Sequence, residues 1–559
     1  MTDHDPGVRF NERDNVDFAI IGSGAAGGVL ARELSRAGFN VVVLEQGPYR
    51  TASDFSHDEL RVFVQGEMTH HPSWNDPQTH RQSSRDKAQA VNGIPPALYS
   101  RTVGGASVHF SGNYWRMRPI DFKERSLLGS IAGTGFSDWP ISYEELEPYY
   151  TKAEWEIGVS GAPGPFDAPR SKGYPLPPMP IKSSGVLLEK GARKLGLNPQ
   201  PAPVAILSKP YRGRPPCGHC GFCMGFGCEM NAKSSTLVTM LPEAEATGRC
   251  EIRPLSTVFR IATNKAGRVS EVQYLDKDGQ QHAQKAKAVI LAANGAETPR
   301  LLLMSESSAN PDGLANGSGL VGKYLMGNGH SVNHAYFEHE LNEWKSIQVT
   351  RIVLDFYEAD TGRGFYGGGG IDARPLVNGS PLMHALTIGG GGPMPLRWGK
   401  AFKDEVLYGF NHHVGLLNST TSLPVESNNI TLDPELKDDQ GRPAMRMTYR
   451  DHDDDLAMMK FLQDKSEEIL SAAGAVKYWR EPVEPQPFLA HLLGTCRMGD
   501  DPATSVVDRF HRSHEIPNLF ICDGSSLVSS GRGQPTLTIQ ALAFRAAEHI
   551  ARFARNGEI

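Results

Sequence analysis

Cys217, Cys220, Cys223 and Cys228 lie in one glycine-rich stretch, PPCGHCGFCMGFGCEMN. Thiolates crowded in this way bind metal. Their spacing, C-x2-C-x2-C-x4-C, approaches the ferredoxin-like run C-x2-C-x2-C-x3-C, and Gly218, Gly221, Gly225 and Gly227 let a short loop wrap a cluster. The pattern predicts an iron–sulfur site. Structural zinc is the alternative, although zinc knuckles separate two C-x-x-C pairs by a longer loop. Disulfides fit less well, because a chain large enough to own a core gains little from a cysteine knot. Cys250, Cys496 and Cys522 stand in apolar or motif settings and read as buried thiols.

A second constellation lies in residues 17–47, DFAIIGSGAAGGVLARELSRAGFNVVVLEQG. Gly22, Gly24 and Gly27 satisfy G-x-G-x-x-G between a short apolar run and a helical pattern. Gly22 permits the tight turn, Gly24 lets backbone approach a pyrophosphate, and Gly27 lets helix and strand touch, while the helix N-terminus offers free N–H groups to the anion. Glu45 ends the next strand, VVVLE, where a carboxylate accepts hydrogen bonds from ribose hydroxyls. The segment predicts an ADP-containing cofactor.

Near the other end, NLFICDGSSLV gives a buried strand over 519–522 that delivers Asp523 and Gly524 at its C-terminal end, where open α/β sheets bind ligands. This late return strand shifts the cofactor from NAD towards FAD, the plainer reading being that Asp523 caps the following turn. Beyond it, Pro535 introduces a helix with Thr536 in its first turn and a core stripe of Leu542, Ala546, Ile550 and Phe553. The positive end of that helix would favour an anionic flavin ring.

The elements that must hold these groups are spread along 559 residues, enough for two to four units at about 100–200 residues per domain. Alternating strand and helix patterns at both ends predict a discontinuous cofactor lobe from 1–50, 101–118, 230–335 and 485–559. Residues 119–229 read as an excursion holding the cysteine loop, and 336–484 as a substrate cap. NITLDPE (429–435) and AMRMTYR (444–450) are period-two strands of the cap's antiparallel sheet. The fold class is α/β, a Rossmann-like FAD-binding lobe with an α+β cap. Gly runs at 366–371 and 388–393 read as mobile loops. Net charge is −6, with 57 Lys+Arg against 63 Asp+Glu and no basic block, which argues against a nucleic-acid partner. No stretch approaches the roughly 20 apolar residues that span a bilayer, and the N-terminal residues lack the features of a signal peptide.

Five ordered blocks resemble the glucose-methanol-choline (GMC) oxidoreductase family over nearly the whole chain. They are GSGAAGG with Glu45; RTVGGASVHFSGNYWRMRP; NAKSSTLVTMLPEA with STVFRI; AVILAANGAETPRLLLMS; and HLLGTCRMG followed by VVD, NLFICDGS and QPTLTIQALAFRAAEHI. The resemblance implies FAD, a fold similar to p-hydroxybenzoate hydroxylase and oxidation of an alcohol to a carbonyl. It places Val258 at adenine, Asn294 and Gly295 at the turn closing over the dinucleotide, and Arg101, Gly104, Gly105 and Ser107 against the cofactor. His109 falls where some relatives attach FAD covalently and others make a non-covalent contact with the flavin edge.

His491 opens HLLGT, where the family keeps its catalytic histidine, and an imidazole with a pKa near 6.5 is ready to take a hydroxyl proton at neutral pH. Gln534 stands where relatives place Asn or His; it can orient a substrate hydroxyl but cannot act as a second base. Some similar sugar dehydrogenases carry a [3Fe-4S] cluster on closely spaced cysteines, so [3Fe-4S] or [4Fe-4S] is expected, with one cysteine spare if three suffice. The expected activity is oxidation of a sugar or glycoside hydroxyl, the Trp- and Tyr-containing segment GNYWRMR (112–118) supporting sugar, with electrons leaving through the cluster to a cytochrome c-type acceptor. An O2-using oxidase with zinc, or a non-redox FAD lyase, are the rival readings. The location is expected to be cytoplasmic, or periplasmic by co-export with a small signal-bearing partner.

Overall fold

The computed structural model describes residues 7–67, 76–91, 93–375, 380–391 and 398–559. Strand β1 (Val16–Ile21), helix α1 (Ala25–Arg36) and strand β2 (Val41–Leu44) form the predicted clamp unit. Every residue of β2 is buried, so it needs cover on both faces, which a parallel sheet flanked by helices provides.

Among the described residues the strands form three sheets. The seven-stranded sheet runs β6 (Cys250–Arg253), β2, β1, β9 (Gln281–Leu291), β8 (Val269–Leu275), β7 (Thr257–Thr263), with β17 (Leu519–Ile521) also on β9. β9 is long enough to serve two neighbourhoods: residues 281–285 pair antiparallel with β8, and 286–291 pair parallel with β1. Ile290 lies opposite both Ile20 and Phe520, so strands from both ends of the chain meet around one residue of the core. The helix Thr536–Arg555 buries the predicted Leu542, Ala546 and Ile550, with Phe553 partly buried against the same core.

The second sheet is antiparallel, with six strands ordered β16 (Lys477–Arg480), β10 (Gly329–Tyr336), β13 (His413–Thr420), β12 (Gly369–Arg374), β11 (Arg351–Val353), β5 (Pro199–Pro201). Two of its members depart from the cap boundaries expected at 336–484. Nearly all of β10 precedes residue 336, and β5 comes from the excursion, where its two prolines hide any strand signature. The strands expected over 429–435 and 444–450 do pair, as β14 (Asn429–Lys437) and β15 (Pro443–Thr448), but in a separate four-stranded sheet with β3 (Gln78–Arg81) and β4 (Gln89–Ala90). Adjacent β-runs announce a hairpin; they do not say which sheet receives it.

The first glycine run is no loose loop. Its latter part forms the start of β12, and a Cβ on Gly368 or Gly369 would lie 2.2 Å from the Tyr357 carbonyl oxygen or 2.4 Å from that of Ser419. Close packing of backbone demands glycine there. In the second run, residues up to 391 end the helix Pro381–Gly391 and 392–393 lie outside the described residues.

His511 illustrates the cost of burying a titratable group in this core. Its Nδ1 lies 3.1 Å from the Ile521 carbonyl oxygen, and burial, with Arg545 nearby, lowers its pKa to about 3. Below pH 6.5 the unfolded chain takes up a proton that the folded chain refuses, so this residue's contribution is lost as pH falls. Asn suits its φ of 65°. Between pH 7 and 5, His511→Asn should therefore lose about 2 kcal/mol less stability than the parent, measured as the difference in denaturant midpoints at the two pH values.

Candidate functional site

A cleft of about 1620 Å³ runs along the C-terminal ends of the parallel strands. At one end stands the glycine turn. Gly22 has φ 95°, and a Cβ on Gly27 would lie 1.9 Å from the Gly22 carbonyl oxygen, so Gly27 brings helix and strand together without lining the cleft. The turn is pinned from two sides. Glu45 Oε2 accepts from the Ser23 backbone N–H (3.1 Å) and hydroxyl (2.7 Å), while Oε1 accepts from the Gly47 N–H (2.9 Å). Burial nevertheless raises the Glu45 pKa above the usual carboxylate value.

The second glycine turn meets the first. Gly104 has φ 93° and donates its N–H to Ser23 Oγ at 3.0 Å, and a Cβ on Gly105 would lie 2.7 Å from Gly24 Cα. Ser107 Oγ donates to the Gly104 carbonyl (2.9 Å), which closes this turn. Gly24, Gly105, Ser107, Arg101 and Val258 line the cleft; Arg101 is held by an ion pair with Asp76. These bare backbones fit a pyrophosphate and its ribose, because they leave space where any side chain would intrude.

Asp523 is more heavily engaged than predicted. Oδ1 accepts from the Ser525 N–H and hydroxyl, and Oδ2 from the Asn294 N–H (3.0 Å) and the Thr298 hydroxyl (2.6 Å). It caps its own turn and also ties down Asn294, whose φ is 84°. Asn294, Asp523, Gly524 and Thr536 line the cleft, whereas Gly295 does not. Gly295 instead allows a close backbone approach, since a Cβ there would lie 2.1 Å from the Leu492 carbonyl oxygen, and one on Gly524 would lie 2.5 Å from the same atom. The residue next to His491 is thus gripped between the two turns that close the cofactor end.

At the far end His491 and Gln534 face the cleft together. His491 Nδ1 lies 2.9 Å from Asn328 Oδ1. Burial and the neighbouring His330 lower the His491 pKa to about 3, so the imidazole is neutral throughout the physiological range. His330, whose ring centroid is 5.6 Å from that of His491, has a pKa lowered to about 4 by burial and Arg374. Sequence reasoning missed His330, Arg374 and Gln486, all lining this end. His330 on β10 and Arg374 on β12 are brought here by pairing with β13, and Gln486 by its hydrogen bond to the Asn328 carbonyl, none of which a local pattern marks. The reverse error concerns GNYWRMR. None of these residues lines the cleft: Tyr114 is buried and donates to Gln540, Trp115 packs on Gly533, and Arg116 is buried on Glu154. A pattern of aromatic and polar residues reads alike in a sugar pocket and in a core.

His109 lines the cleft, its Nε2 buried without a hydrogen-bond partner among the described residues. Burial, assisted by Lys233, lowers its pKa to about 4, leaving a neutral ring nitrogen available to a flavin edge. The cysteine loop packs directly behind it. The Gly225 N–H donates to the His109 carbonyl (2.7 Å), and Met224 and Gly225 reach the cleft wall. The four cysteines are free thiols, with Cys220 exposed and Cys223 buried. They are near enough to act on one another electrostatically, and burial raises Cys217 to about 11 and Cys223 to about 12. Among the described residues, however, no group of three or more His, Cys, Asp or Glu side chains is gathered to hold a metal ion. Cys250, Cys496 and Cys522 are buried, as expected.

A dinucleotide cradle at one end of the cleft and paired neutral imidazoles at the other define a flavin-dependent oxidoreductase. The family models described as GMC oxidoreductase match residues 20–328 and 424–543. The chain belongs to the GMC oxidoreductase family, FAD-dependent enzymes acting on CH–OH groups. It is 35% identical to 2-methyl-1,2-propanediol dehydrogenase of Mycolicibacterium austroafricanum over 96% of each chain. It is 32% identical to the fructose dehydrogenase large subunit of Gluconobacter japonicus, over 98% of this chain and 100% of that one. In fold it matches a formate oxidase variant from Aspergillus oryzae with a TM-score of 0.65 at 15% identity, covering 98% of this chain and 99% of that one. No described helix is long and apolar enough to cross a membrane.

Proposed function

We propose that this enzyme is a dehydrogenase that oxidises a hydroxyl of a sugar or glycoside to a carbonyl. The observation that carries the reading is the convergence of His491, His330 and Gln534 at one end of a cleft whose other end is a dinucleotide cradle. Bound FAD supplies the hydride acceptor. His491 takes the hydroxyl proton on Nε2, since Nδ1 is committed to Asn328. Gln534 offers the substrate both an amide donor and an amide acceptor. Similarity to a fructose dehydrogenase subunit supports the sugar class.

The finer part of the reading is that Cys217, Cys220, Cys223 and Cys228 would hold an iron–sulfur cluster, which would supply a route for electrons to an external acceptor such as a cytochrome. Its support is the ligand spacing and the loop's hydrogen bond to His109. A small partner subunit, suggested by the relative's designation as a large subunit, would carry an export signal to the periplasm; a cytoplasmic enzyme is the other location proposed.

One experiment tests these points together. Purified without air, the protein is expected to be yellow, to contain iron and sulfide in place of zinc, and to bleach on addition of D-fructose, D-gluconate or a glucoside. Colour that stays with acid-precipitated protein marks covalent attachment at His109; colour released marks an edge contact. Zinc without iron overturns the cluster, and peroxide formed in air at the rate of substrate loss overturns the external acceptor.

A further inference from the structure

We infer that Asn328 is a positioning residue that fixes which nitrogen of His491 carries the proton, and that it locks the base to the loop bearing Gln534. The inference rests on the reading of His491 as the base. Asn328 is completely buried, just before β10, in the left-handed conformation with φ 57°. Its side-chain nitrogen faces three backbone carbonyls, those of Thr420 (3.1 Å), Ser530 (3.3 Å) and Gly531 (3.1 Å). A carbonyl only accepts, so this end of the amide must be the NH2 group. Rotating the amide by half a turn would set Oδ1 against three oxygens.

The consequence passes directly to the imidazole. With the amide orientation settled, the atom 2.9 Å from His491 Nδ1 is an acceptor, and Nδ1 must donate a proton to it. In the neutral ring the lone pair then resides on Nε2, the nitrogen that can take a proton from a substrate hydroxyl. The opposite tautomer would present an N–H to the substrate and an unpaired lone pair to Oδ1.

The same residue holds more than the ring. Its backbone carbonyl accepts from Gln486 Nε2 (3.1 Å) and its backbone also hydrogen-bonds His330, both in the cleft wall. Ser530 and Gly531, which its NH2 grips, lie just before Gln534. Base, second imidazole and substrate-orienting amide therefore share one buried anchor. Asn328 is neutral, so it sets the tautomer without offering a charge to the protonated ring.

Two substitutions separate this role from a structural one. Asn328→Gly suits the backbone angle and removes donor and acceptor alike; Asn328→Asp suits it equally, loses the three donor contacts and keeps the acceptor. If the acceptor matters, the rate of anaerobic flavin bleaching by D-fructose, D-gluconate or 2-methyl-1,2-propanediol falls about a hundredfold in the glycine variant and stays within about tenfold in the aspartate variant. A purely structural anchor gives the opposite order, with the buried carboxylate facing three carbonyls the worse, and that order overturns the proposal. The second measurement leaves Asn328 in place and needs no substrate. In 15N-histidine-labelled holoenzyme, the signal that disappears in His491→Gln must report a proton on Nδ1; a proton on Nε2 overturns the assignment. Should His491→Gln bleach at the parental rate, the base reading itself fails, a result separate from either outcome at Asn328.

Discussion

His491→Ala should slow substrate-dependent bleaching of the flavin by about 10²–10⁴, the range that a general base supplies, while FAD remains bound. The selectivity of that effect follows from the layout of the cleft. The cofactor end is built from the Ser23 and Gly104 turns, Glu45 and Asp523, none of which hydrogen-bonds the His491 ring. The backbone beside His491 is held through the Leu492 carbonyl, gripped by Gly295 and Gly524, and truncating the side chain leaves this grip intact. Stopped-flow absorbance at saturating sugar, with flavin content measured on the same sample, separates the two effects. Loss of flavin with loss of rate would show that the ring is structural.

The second large effect falls on stability. Arg532 is completely buried, pairs with Asp121 and Glu124, and lies over the Tyr357 ring at 5.0 Å; Tyr357 and Tyr366 donate their hydroxyls to the same two carboxylates. Removing one member of a buried ionic network strands the others without water. Arg532→Leu should therefore cost about 3–5 kcal/mol, read as a lower denaturant midpoint for loss of flavin fluorescence quenching and of secondary structure. Burial already raises the Glu124 pKa, with Arg532 the main opposing influence, so the variant should also take up a proton on folding. Adding Asp121→Asn and Glu124→Gln should restore much of the loss, since the carboxylates then no longer need a counter-charge. Recovery absent in the triple variant would locate the defect in packing. Gln534 is two residues from Arg532, so the single variant should also raise KM.

The cofactor end of this molecule is legible in one dimension because its requirements are local. A turn that excludes Cβ atoms at Gly22 and Gly27, a four-residue apolar strand and a terminal acid are all written within 17–47. The chemistry end obeys a different rule. His491 can be singled out among 19 histidines only through its motif, and His330 and Asn328 reach it because β10 is registered against β13, with Gly329 opposite Thr420. That pairing joins segments far apart in the chain. The aromatic segment 112–118 shows the same limit in reverse, since Tyr114 and Trp115 have the composition of a sugar platform and the burial of a core. The cysteine spacing is readable, whereas the gathering of four thiols around one centre depends on loop closure that spacing alone does not dictate.

The placement of β17 has a consequence for biogenesis. In a nascent chain the first glycine turn is made long before Asp523, which tethers Asn294, and before the helix beginning at Thr536. Flavin insertion should then wait until these residues have been made, and a polypeptide truncated before residue 519 should emerge without pigment.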